Sequence, residues 1–77
     1  MRIRTFILQR DVDVSGVSGT GTVASGIHWV EPDIIALRWN SEFPTSVVFH
    51  ERGLESMKHV HGHDGKTRII WLNEASI

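Results

Sequence analysis

Five runs of β-forming residues lie between Arg2 and Asn73, and each is cut off by glycine, proline or a polar cluster before a long helix can grow. They are RIRTFILQ (2–9), TVASGIHWV (22–30), IIALRWN (34–40), VVFHE (47–51) and KTRIIWLN (66–73). Runs this short, packed into 77 residues, restrict the chain to one small all-β domain spanning residues 1–77. In IIALRWN, Ile35, Leu37 and Trp39 fall on one side and Ala36 and Arg38 on the other, which is the two-residue period of a strand. Gly26 interrupts the second run and predicts a bulge or a sharp bend. EPD (31–33) reads as a turn, and Pro44 makes SEFPTS (41–46) a loop. In GLESMKHV the period changes: Leu54, Met57 and Val60 recur every third residue. That spacing predicts a short helix or 3-10 turn packing one edge inward. The closing EASI reads as a frayed tail.

Five strands with one short helix before the last fit a small SH3-like five-stranded barrel, because closure removes the exposed edges of so small a sheet. An OB-like barrel fits less well, since its strands are usually longer and its helix falls between the third and fourth. Apolar residues sit on both faces of two strands: Ile69 and Trp71 oppose Ile70 and Leu72, and Val47 and Phe49 oppose Val48. A barrel has one interior. The surplus face must be covered by the helix, by a partner subunit or by a ligand, so a homo-oligomer is expected. A chain of this size buries only about 60–65% of its unfolded surface, and such a partner would add stability.

There is no cysteine, which excludes disulfides and thiolate metal sites and suits the cytoplasm. In MRIRTFILQRDVD the longest apolar run is three residues, too short for a signal-peptide core or a membrane span. A cytoplasmic protein without a membrane partner is expected. The net charge is −1, whereas nucleic-acid binders usually carry a basic excess to neutralise phosphates. Nucleic acid is therefore a minor alternative. It would need Arg2, Arg4, Arg10, Lys66 and Arg68 to form a local patch, which happens only if the first and last strands lie side by side.

HVHGHDG (59–65) places His59, His61 and His63 at alternate positions, with Asp64 following. On an extended strand the imidazoles would share one face, with Asp64 as a fourth zinc ligand or as the group orienting an imidazole. The other reading is structural. Gly62 and Gly65 break the segment, Asp64-Gly65 is a turn signal, and His59 belongs to the end of the helix, where a cation is favoured. VHGHDGKT resembles a P-loop, but it begins with Val60 and runs into a strand rather than a helix. GTGTVA (19–24) satisfies a relaxed dinucleotide fingerprint but lacks the βαβ unit that gives it meaning. No G-x-S-x-G elbow occurs. No enzyme and no cofactor are expected.

SGVSGTG (15–21) has glycine-freed backbone N–H groups beside hydroxyls, the composition of an anion-binding nest or, more simply, of a loop joining two strands. If the ligand is a small phosphorylated molecule, Ser15, Gly16, Ser18, Gly19 and Thr20 would contact it. Lys66 and Arg68 would neutralise its charge, and Trp29 or Trp71 would stack on a base.

The segments DVSGVSGTGTVASGI, ALRW and VHGHDGKTRIIWL resemble a group of small uncharacterised proteins from actinobacteria and their phages, over about residues 10 to 72. One departure is HWVEPDIIALRW, where Pro32-Asp33 stands in place of an Asp-Gly turn. The resemblance carries no established activity. It implies a phage or actinobacterial source, and small phage proteins frequently act by inhibiting a host protein or sequestering a nucleotide signal used in host defence. The resulting expectation is a non-enzymatic binding module for a protein or a small phosphorylated ligand, acting through the glycine loop and the HGHDG turn.

Overall fold

All five expected strands and the helix form in the computed structural model, which describes residues 1–11, 21–40, 47–62 and 65–77. They are β1 (Arg2–Arg10), β2 (Gly21–Trp29), β3 (Ile34–Trp39), β4 (Val47–His50), α1 (Leu54–His61) and β5 (Thr67–Ser76). The strands make one sheet in the order β4-β3-β2-β1-β5, and every pairing is antiparallel.

The barrel expected from the sequence is not formed; the sheet is open. Closure would require β4 to pair with β5, and these are the two opposite edges. The chain instead crosses a sheet face between them. It leaves the four-residue β4, lays α1 over β3 and β4, and returns on the far side of β1.

Residues directly opposite in antiparallel strands share a face. Phe6 lies opposite Gly26 and Trp71, Leu8 opposite Ala24 and Ile69, Gly26 opposite Leu37, and His28 opposite Ile35. This register gathers Phe6, Leu8, Ala24, Ile35 and Leu37 under Met57 of α1, and all are buried. Full burial of a Leu, Ile, Phe or Met side chain stabilises by about 1.5–3 kcal/mol. Trp39, on the same side of its strand as Ile35 and Leu37, is half-buried and packs against the core with Leu54 and Ile69. Val60 departs from the expected inward edge and is exposed.

Two local expectations are corrected. The bulge falls not at Gly26 but between Leu8 and Gln9 of β1, which face Ala24 and Thr22. The extra residue is Val23, and the slip lets both Val23 and Ala24 be buried. Gly26 itself is paired regularly. Its missing side chain makes room for the Phe6 ring, and an added Cβ would also press on the Ala36 carbonyl oxygen. The tail, too, is ordered: β5 continues to Ser76, opposite Arg2, and the Ile77 N–H donates to the Met1 carbonyl at 2.8 Å. The expected turn at 31–33 contains a cis Glu31-Pro32 bond and Asp33 at φ 70°.

Replacing Gly26 by alanine should cost about 1–3 kcal/mol, because neither the ring nor the carbonyl can give way freely. Urea unfolding measures this. A stability equal to that of the parent would mean that Phe6 is not what requires glycine there.

Candidate ligand-binding groove

Alternation on β1 puts Arg4 on the same face as Phe6 and Leu8, an arginine in core phase. It reaches the core edge because its charged head has three partners of different kinds. Its plane lies over the Trp71 ring, 3.7 Å from the centroid, a favourable cation–π distance. Its Nε–H donates to His28 Nδ1 at 3.1 Å. Because Nδ1 accepts, the ring proton of His28 sits on Nε2, which donates to Asp33 Oδ1 at 2.6 Å. The third partner is open space: Arg4 lines a groove of about 940 Å³.

The groove exists because one eight-residue helix cannot cover five strands. α1 lies over the β3–β4 half and leaves a gap above β5. Lys58, His59, Val60 and Leu54 of the helix face Ile69, Trp71 and Thr67 of β5 across that gap, with Gly62, Gly65 and Arg68 also lining it. The volume suits a small molecule. One wall is aromatic and aliphatic. The cationic groups are Arg4 and Lys58, with His59 beside them.

The β2–β3 turn supplies the helix cap. Gly53 precedes α1 at φ 85° and has no side chain to cap the first turn. Asp33 does it from a distance: its Oδ1 accepts from the Leu54 N–H at 3.1 Å. The carboxylate packs against the Gly53 Cα, where any side chain would collide with it. The hydrogen bond from His28, and next the backbone N–H of Leu54, hold the Asp33 carboxyl below its ordinary range against an opposing effect of burial.

Of the residues singled out from sequence, Arg68 and Trp71 line the groove. Lys66 is exposed and is not among the lining residues; its carbonyl accepts from the Asp11 N–H at 3.2 Å. Trp29 sits opposite Ile3 and Ile34, on the other face of the sheet from Trp71. Ser15, Gly16, Ser18, Gly19 and Thr20 lie outside the described residues, as do His63 and Asp64. His59 and His61 are on a helix rather than a strand. Two residues apart on a helix are about 200° apart around its axis, so His59 lines the groove while His61 turns to β4. There its Nε2 is 2.9 Å from the His50 Nε2, and its ring meets Trp39 edge-on at 5.0 Å. Among the described residues no three His, Cys, Asp or Glu side chains gather as a metal-binding group.

β1 and β5 are adjacent, the condition for a basic patch, yet most of its members are engaged. Arg2 pairs with Glu31 and Glu74, Arg68 with Asp11, and Arg10 is buried and donates to the Thr67 hydroxyl. Lys58 was not read from sequence as a ligand residue, and Arg4 only as a member of the basic patch for nucleic acid. For Arg4 a signal existed, since a charged residue in phase with Phe6 and Leu8 either meets a buried acid or opens onto a site.

These features define a small all-β protein built on an open antiparallel sheet, with a cationic, tryptophan-walled groove under its only described helix. The chain belongs to the Acb5 phage protein family, whose sequence profile matches residues 3–73. No curated protein and no solved structure gives a significant match. Among the described residues, no helix is long and apolar enough to cross a membrane.

A carboxyl whose folded pKa is depressed stabilises above its unfolded value, near 3.9, and that contribution is lost as pH falls through the lower folded value. Asp33→Ala should therefore lower the thermal midpoint at pH 7 by the equivalent of a lost cap, about 1 kcal/mol or 4–8 °C. The gap from the parent should narrow as pH drops below about 4. Thermal melts from pH 2 to 7 read both effects; a gap that stays constant would mean that the carboxylate charge contributes nothing.

Proposed function

We propose that the chain is a non-enzymatic binding module of the cytoplasm of an infected bacterium, and that the groove between α1 and β5 takes a small phosphorylated ligand. Arg4 carries the reading. It is cationic and fixed by its stack on Trp71, and among the described residues it has no carboxylate partner. A guanidinium so held is pre-organised for a phosphate, because little of its freedom remains to be lost on binding. Lys58 across the gap adds charge, and Trp71, Ile69 and Leu54 offer an apolar wall for the ligand's body. Arg68 serves the rim and is less available, since its guanidinium meets the Asp11 carboxylate through two hydrogen bonds of 3.1 Å. Membership of a phage family suits a role in sequestering or inhibiting a host component, with an actinobacterial host on the strength of the sequence resemblance.

Native mass spectrometry of gently purified protein should show a mass excess of a few hundred daltons, absent on denaturation. Calorimetry with adenosine monophosphate as probe should show Lys58→Glu weakening affinity about tenfold or more, while Lys66→Ala changes it little. Lys58 is an exposed helix residue, so this variant keeps the fold. A bare chain that takes up neither inorganic phosphate nor the nucleotide would refute the reading.

The alternative of a metal-binding protein keeps one observation in its favour: the His50 and His61 imidazoles face each other through their Nε2 atoms. Metal binding couples to folding. Zinc should then raise the thermal midpoint of the parent and leave His50→Ala unmoved; no rise in the parent would remove this alternative.

A further inference from the structure

The sheet face turned away from α1 carries large apolar side chains that no described element covers. Ile27 is 38% exposed, Val47 51%, Phe49 64%, Ile70 36% and Leu72 55%. We propose that this face is a homodimer interface, with two copies of the chain joined sheet to sheet about a two-fold axis so that Phe49 of each copy fills the trough beside it on the other.

Area is the first argument. The five side chains expose on the order of 500 Å², near the upper end for the largest apolar patch of a monomer. The sheet surface between them brings the face toward the roughly 800 Å² per partner of a stable interface. An aligned pair of such sheets, about 10 Å apart, is a common core architecture.

Relief is the second. Four of the five stand on the two edge strands, Val47 and Phe49 on β4 and Ile70 and Leu72 on β5, and Ile27 stands on the central β2. The central strands contribute the small residues Thr5, Ser25, Gly26 and Ala36 beside Ile27 and the Phe6 ring, and these line a trough of about 420 Å³ between Leu72 and Val47. Phe49 is directly opposite Ala36 in the β3–β4 register, so the most exposed knob of the face adjoins its emptiest hollow. A two-fold axis requires such self-complementarity, because each patch meets its own copy.

Charge is the third. Among the described residues Arg38 is the only charged one lining the trough, and the other eight are apolar, small or hydroxyl-bearing. One cation gives a strongly charged partner little to match, whereas the apolar residues that make up most of the face match a second copy of it.

Sedimentation velocity up to about 200 µM, where mass action favours association, tests this. The parent should sediment at twice the chain mass. Phe49→Asp and Leu72→Asp should each sediment as monomers with unchanged far-UV circular dichroism. Glu55→Lys, on the opposite face, should remain dimeric. A monomeric parent at every concentration would overturn the proposal, as would a dimer that survives both substitutions. A monomeric parent that floats with phosphatidylglycerol vesicles would also overturn it and give the face to a lipid surface. The ligand groove lies across the sheet, so a Lys58→Glu chain that loses its ligand but stays dimeric separates the two readings.

Discussion

The carboxylate of Asp33 ties the helix to the β2–β3 part of the sheet, which the backbone ladder does not do. It accepts from His28 in β2 and from the Leu54 N–H at the start of α1, and it sits in the turn leading to β3. An eight-residue helix is too short to be stable alone. Its position therefore depends on contacts with the sheet: Met57 and Leu54 against the core, His61 against His50 and Trp39, and this cap. Through His28 the same carboxylate orients Arg4, and Arg4 lies flat on Trp71. The cap of the helix and the wall of the groove are two ends of one hydrogen-bonded chain. The arrangement resembles the way a carboxylate fixes a histidine tautomer beside a metal, here with an arginine in the place of the ion.

The open sheet and the groove share a cause. Five strands under one short helix leave two uncovered regions: the strip above β5 on the helix side, and the whole opposite face. The first is cationic and walled by tryptophan, the second mostly apolar with Arg38 as its one described charged lining residue. Their chemistry differs because the alternation of each strand sends different residues to each side. Arg4 and Trp71 share one phase, and Ile70 and Leu72 the other.

Strand positions were legible because two-residue alternation and glycine or proline breaks are local signals. IIALRWN needed no neighbour to be read. Whether the sheet closes is not local: it depends on β4 meeting β5, and no short-range pattern encodes the path between them. The surplus of apolar residues pointed to a second covered face, yet it fits an open sheet as well as a barrel. EASI looked like a tail because its residues are polar or small, while its pairing comes from Arg2 and Ile3 on the adjacent strand. The histidines illustrate the opposite hazard. Their i, i+2 spacing converges only on a strand; the every-third-residue pattern of Leu54 and Met57 put His59 at the end of a helix, and the helix in fact runs on through His61, which it turns away from His59. Trp71 was legible as a candidate surface residue, but the reason it lines a groove is Arg4, 67 positions earlier in the chain.

The contact between Asp33 and Gly53 has a consequence for how such a sequence can drift. The carboxylate occupies the space a side chain at 53 would need, and the backbone there adopts a left-handed angle that glycine tolerates. Each residue makes the other necessary. A descendant that loses the acid at 33 loses the helix cap, and one that gains a side chain at 53 evicts the acid. A change at either position is therefore felt at the other, 20 positions away in the chain, and together they hold the helix over the groove.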